Sequence, residues 1–205
     1  MWPDLEEKIV AALPRGERFV GGFSVMRAAT GRDAVSCDVP AQRRPRVLAG
    51  EGGLWGALLS GFFKGAVNDV GSPSTRESVE DPAGRPERQE RNASFFGGWD
   101  SLAGQWLAAA QPRSRAGLVT AVVLTDRQVR FVYVPSRRLT GRLGDTVEWG
   151  ACFSRDVLAW TRRRDTSLDV QFGFTDGSWG TVTVAPEEDF LKAFPGTLSH
   201  LVPIP

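Results

Sequence analysis

Between Gly117 and Val184 the apolar residues recur every second position through one run after another, a period that commits this part of the chain to β-strands. Val129, Phe131 and Tyr133 alternate with Arg130 and Val132, and Leu168, Val170, Phe172 and Phe174 alternate with Asp169, Gln171 and Gly173. Turn residues separate the runs. Asp126-Arg127 divides Val119–Thr125 from Val129–Val134, and Asp176-Gly177 offers two residues that tolerate the positive φ of a tight hairpin. An earlier stretch, Phe19 to Met26, has the same period. The pattern predicts seven strands, at about 18–27, 118–125, 128–134, 145–153, 156–163, 167–174 and 178–185.

Seven antiparallel strands must curl or stack to bury an apolar face, and the end of the resulting roll needs a cover. The segment after the last strand can supply it. Pro186 opens a helix with Glu187, Glu188 and Asp189 in its first turn, at the positive end of the helix dipole, and Phe190, Leu191 and Phe194 on its apolar side. Pro195-Gly196 stops or kinks that helix, and Leu198 and Leu201 offer a short continuation. The expected fold class is therefore mainly β with helices: a seven-stranded antiparallel barrel or roll capped by a C-terminal helix. A short helix precedes it over residues 4–13, with Asp4 and Glu7 in capping-box spacing and Leu5, Ile9 and Leu13 on one side.

The β pattern is interrupted after its first strand. The expected organisation is an N-terminal helical segment, 1–16, a barrel made of 17–30 and 115–203, and an insertion, 31–114. The insertion begins with an irregular Pro/Arg segment, Pro40 to Arg46. It carries two short helices, at about 53–69 and 96–110, separated by a polar, flexible linker over 71–93. In the first helix Leu54, Leu58 and Phe62 form one row, Trp55, Leu59 and Phe63 the next, and Ala57, Gly61 and Gly65 a groove of small residues. In the second, Trp99, Leu102, Ala103, Trp106, Leu107 and Ala110 follow the helical period.

The order of strands and the closing helix resemble the pleckstrin-homology-like (PH-like) fold, and its bacterial members in particular. The resemblance rests on Val122-Val-Leu-Thr-Asp-Arg-Gln-Val-Arg-Phe-Val132 for the hairpin of strands two and three and on Phe174-Thr-Asp-Gly-Ser-Trp179 for the last turn. Gly16-Glu17 before the first strand fits the same pattern, and roughly half the chain is covered. Eukaryotic relatives of this fold bind inositol phosphates at the barrel mouth through a Lys at the end of the first strand and an Arg-x-Arg in the second. Here Arg113-Ser114-Arg115 stands before the second strand and no Lys accompanies it. Bacterial relatives sometimes assemble through their barrel edges.

Composition removes several function classes. The 25 Lys and Arg nearly cancel the 24 Asp and Glu, leaving a formal charge of +1, so no global field draws the chain to nucleic acid. Cys37 and Cys152 form no CxxC or Cys/His pattern, which argues against a disulfide framework or a zinc site and suits a reducing cytoplasm. The acidic start, Met-Trp-Pro-Asp-Leu-Glu-Glu, is unlike a secretory signal, so a cytoplasmic location is expected, extending to the inner face of the membrane. His200 is the only histidine and has no linked nucleophile, and Gly52 to Gly65 lacks the Lys-Ser/Thr ending of a phosphate loop. No enzyme and no cofactor are expected.

Two surfaces remain as candidates. Strand parity puts the first and third connections at one end of the barrel, where Arg113, Arg115, Arg137, Arg138 and Arg142 could converge on an anion. The insertion helix carries Trp55, Leu58, Phe62, Phe63 and Lys64. That helix has three destinations: against the second insertion helix, into a protein partner or a second copy of the chain, or onto a membrane surface. The expected function is non-catalytic binding of protein through the barrel and its insertion, with peripheral membrane association as the alternative.

Overall fold

A computed structural model of the chain describes residues 3–28, 38–49, 95–137, 140–163, 169–194 and 197–198. In chain order the elements are α1 (Pro3–Ala11), β1 (Phe19–Arg27), β2 (Phe95–Phe96), α2 (Leu102–Ala110), β3 (Gly117–Thr125), β4 (Gln128–Ser136), β5 (Glu148–Ser154), β6 (Leu158–Arg163), β7 (Asp169–Phe174), β8 (Trp179–Ala185), α3 (Glu187–Ala193) and β9 (Thr197–Leu198). The described chain is thus mainly antiparallel β-sheet with helices. Its strands join one sheet in the order β5-β4-β3-β1-β8-β7-β6-β9, with β2 also on β8, and only the β6–β9 pairing is parallel. β2 continues the lane that β1 leaves: Arg27 pairs with Val182 of β8, and Phe95 with Gly180.

The sheet is rolled. Four strands separate β5 from β7, so in a flat sheet Phe153 and Phe174 would stand about 24 Å apart. Their ring centroids are 6.5 Å apart. Inside the roll lies α2, whose Trp106 is 1% exposed and places its indole 4.9 to 5.7 Å from the rings of Phe131, Phe153, Phe172 and Phe174. Its indole N–H is buried without an acceptor among the described residues. α3 adds Phe190, edge-on to Phe23 at 5.2 Å, and Phe194 to the same core. On the other face of β3 and β4, Leu5 and Ile9 of α1 pack against Ala121, Val123, Val132 and Val134. Burial on both faces explains why β3 is apolar almost throughout instead of alternating.

The described sheet has nine strands where seven are expected, the additions being the two-residue β2 and β9. β9 holds Leu198 in a strand rather than in a continued helix. Three further features depart from the sequence pattern. β5 starts at Glu148 rather than 145, because Gly144 N–H bonds Pro135 O and Leu143 bridges Ser136, holding the preceding residues in a turn. The helix expected from 96 begins at Leu102. Phe95–Phe96 pair with β8 instead, and Gly97, at φ 114°, breaks the path in a conformation that favours glycine. In the β7–β8 turn only Gly177 has a positive φ, 79°. One left-handed residue suffices there, since Gly177 N–H bonds Phe174 O and Phe174 N–H bonds Ser178 O.

That turn also caps α2. A helix begins with N–H groups that have no partner within it, and here three are met by side chains. Asp176 Oδ2 accepts from Leu102 N–H at 2.9 Å, Ser178 Oγ from Ala103 N–H at 3.0 Å, and Ser101 Oγ from Gly104 N–H at 3.2 Å. Ser178 Oγ–H in turn donates to Asp176 Oδ1 at 2.6 Å. Burial works against the Asp176 anion, but the hydrogen bonds from Ser178, Leu102 and its own turn outweigh it and hold the carboxyl below its ordinary value of 3.8. Asp176→Asn is expected to cost about 1 kcal/mol by urea denaturation at neutral pH. Because the folded pKa is depressed, the contribution is complete above the unfolded value and is lost as pH falls through the folded one, so wild type and variant converge in acid. A gap that stays constant down through that range would rule out the charged cap.

Candidate functional site

The registers bring several arginines to one end of the sheet. Gly117 pairs with Ser136, and β1 runs antiparallel to β3 with Ser24 opposite Ala121. Arg113 and Arg115 before β3, Arg137 after β4 and Arg27 closing β1 therefore share that end, and all four are exposed. Arg27 is ion-paired with Asp38 at 2.6 Å, and Arg44 reaches the same carboxylate at 3.7 Å. Arg142 takes another direction. Its carbonyl accepts from Arg137 N–H at 2.9 Å, but its side chain borders a shallow cleft on the α1 side with Asp4, Glu7, Lys8 and Asp145. A hydrogen bond from Lys8, at 2.7 Å, and the charge of Lys8 lower the Asp145 carboxyl. Arg142 thus stands among carboxylates, apart from the Arg113 side of the sheet. Arg138, and the insertion residues Trp55, Leu58, Phe62, Phe63 and Lys64, lie outside the described residues, as do His200 and the linker 71–93.

A second cleft, of about 410 Å³, opens between residues 43–47, α2 and β5, and is lined by Arg43, Arg46, Gln105, Ala108, Tyr133 and Gly150 among others. Its outer wall is the Pro/Arg segment, which the sequence reading left irregular. Irregular it is, but it is fastened at each end. Val39, Val47 and Leu48 are buried in the main core, Val47 N–H bonds Arg113 O at 3.0 Å, and Arg113 N–H bonds Pro45 O at 2.8 Å. Leu48 holds a left-handed backbone, φ 54°, that a branched side chain seldom adopts. Its N–H donates to Glu148 Oε2 at 2.6 Å, which occupies that carboxylate. Arg43 pairs with both oxygens of Asp100.

The cleft floor is set by one close approach. A Cβ on Gly150 would run into the ring of Tyr133, whose hydroxyl donates to Ala109 O at 2.8 Å. Burial, with the Glu148 charge second, pushes the Tyr133 phenol well above its usual range, so it serves as a neutral donor. Among the described residues no three His, Cys, Asp or Glu side chains are grouped to hold a metal ion, and no helix is long and apolar enough to cross a membrane.

Compared with protein-family models, with curated proteins and with solved structures, the chain matches none.

Proposed function

We propose that this chain is a non-catalytic binding scaffold on a PH-like seven-strand roll, and that it engages a protein partner through its outer surface. The observation that carries this reading is α2: the interior of the roll is filled by Trp106, Leu107 and their aromatic neighbours, which leaves the ends, edges and clefts of the sheet for recognition. Support for the PH-like part comes from the neighbour order β5-β4-β3-β1-β8-β7-β6 and from α3 following β8. Fold alone does not carry function, so the binding reading leans on the surface. Exposed Arg115 and Arg137 at one end of the sheet suit an acidic partner. The insertion, including Trp55, Leu58, Phe62, Phe63 and Lys64, extends the same interaction in this reading.

Affinity purification at native abundance tests it, with three proteins compared: the wild type, a deletion of 51–93, and Arg115→Glu/Arg137→Glu. The deletion must stop short of α2, because removing 50–110 would take Trp106 with it. A partner held by the wild type and lost in either variant supports the proposal. No partner above background, or a substrate turned over by the pure protein, overturns it. The same arginines favour one second reading, peripheral attachment to an anionic lipid surface. Flotation with phosphatidylserine vesicles decides it, since wild-type flotation abolished by Leu58→Asp and Phe62→Asp would move the partner from protein to membrane.

A further inference from the structure

The strand order ends at β5 on one side, whereas the opposite edge, β6, is paired with β9. No strand among the described residues pairs with the outer edge of β5, and Ala151 and Cys152 on it are exposed. An unpaired edge offers a row of backbone N–H and C=O groups to any extended segment that reaches it. The cleft of about 410 Å³ is beside this strand, with Trp149, Gly150 and Ala151 of β5, Gln105, Ala108 and Ala109 of α2 and Tyr133 of β4 among its lining. Gly150 and Ala151 on one wall and Ala108 and Ala109 on the other are small, beside the larger Trp149 and Gln105, and leave room for a backbone. β5 is also bulged there: Val132 pairs with Trp149 and Arg130 with Cys152, so Gly150 and Ala151 together stand opposite Phe131. A bulge re-aims a strand and sets where added pairing can begin.

Beside the cleft is a charge arrangement that the described residues leave without a counter-charge. Arg46, which lines the cleft, and Arg113 are a directly bridged parallel pair, their backbones joined through Pro45 O and Val47 N–H. Bridged residues direct their side chains to the same face, and like charges so placed repel. Both are exposed, and neither has an ion-pair partner among the described residues, whereas nearby Arg43 is paired with Asp100 and Arg44 with Asp38. Two adjacent guanidinium groups form a fork for a carboxylate.

We infer that the cleft beside β5 takes an extended acidic segment of a protein partner, added as a strand to the β5 edge, with an aspartate or glutamate side chain held by Arg46 and Arg113. The inference rests on the scaffold reading above and names the surface and the chemistry of that partner. It shares Arg113 with the arginine-bearing end but pairs it with Arg46, and Arg115 and Arg137 take no part in it.

The test uses the full chain and a short fluorescent peptide of alternating valine and glutamate, with a valine–lysine peptide as the comparison. Fluorescence anisotropy should show binding of the glutamate peptide alone. Arg46→Glu/Arg113→Glu should weaken it by about tenfold or more, the scale of one lost charge-assisted contact. Amide NMR shifts should concentrate on Trp149 to Cys152, and thermal melting of the variant should match wild type because both arginines are exposed. Absence of glutamate-peptide binding, equal binding of the lysine peptide, or unchanged affinity in the double variant overturns the inference. Partner capture distinguishes the two levels: a partner still retained by Arg46→Glu/Arg113→Glu removes the cleft and leaves the scaffold, while no partner for wild type removes the scaffold itself.

Discussion

Trp106→Ala should destabilise the protein by about 3–5 kcal/mol, a large fraction of the about 5–15 kcal/mol that a domain of ordinary size possesses. The indole meets Phe131, Phe153, Phe172 and Phe174 together, so its loss opens a cavity between the two halves of the rolled sheet. Those rings come from β4, β5 and β7, and none can follow a missing neighbour without pulling its strand. Urea denaturation followed by far-UV circular dichroism, with near-UV dichroism for side-chain packing, measures the effect. Trp106→Phe should cost less, since it keeps a ring and removes a buried N–H that lacks an acceptor among the described residues. A transition for Trp106→Ala within about 1 kcal/mol of wild type would mean that α2 is not the core of the roll.

Gly104→Ala pits two effects against each other. Within a helix, alanine is ordinarily the better residue by about 1 kcal/mol. At this site the added Cβ would lie 2.6 Å from Gly98 O and 2.6 Å from Trp99 Cα, and these are backbone atoms that cannot swing aside. Gly98 O is already committed, accepting from Ser101 N–H at 3.0 Å and Ser101 Oγ–H at 2.7 Å in the turn that caps the helix. Crowding of this kind costs about 1–3 kcal/mol, so the net change should be destabilising. Ala103→Gly, on the same helix, should be destabilising for the opposite reason, by loss of helix propensity and of a buried methyl group. A stabilised Gly104→Ala would show that the turn ahead of α2 yields easily.

The seven longer strands were legible because each buries a face, whereas the two-residue β2 and β9 carry no period to read. β7 and the β3–β4 pair carry their burial in the order of their apolar residues, and α1 carries its own in Leu5 and Ile9. The place of α2 was not legible. An apolar helical face looks alike whether it meets a helix nearby or four phenylalanines from distant strands, and periodicity holds no information about which. The segment 38–49 escaped for another reason: its position depends on backbone bonds to Arg113 and on the Glu148 carboxylate, which no local pattern encodes. Asp176 reads as a turn residue, and it is one. Its second role, capping α2, belongs to residues more than seventy positions earlier. Of the arginines, Arg113, Arg115 and Arg137 stand at the end that strand parity assigns to the first and third connections. Parity could not foresee that the connection after β4 directs Arg142 toward α1, or that Arg113 is bridged to Arg46.

The long-range capping of α2 bears on how the chain comes off the ribosome. α2 is made before β4, β5 and β7, whose rings surround Trp106, and the groups that satisfy its first N–H donors, Asp176 and Ser178, follow more than seventy residues later. A nascent chain halted ahead of the β7–β8 turn would carry α2 with its Leu102 and Ala103 N–H groups unmet and without β8 to complete its burial, the kind of surface that recruits chaperones or aggregates. Ribosome-bound chains of increasing length should therefore stay protease-sensitive until Ser178 and β8 have cleared the exit tunnel, then become resistant over a narrow span of added residues.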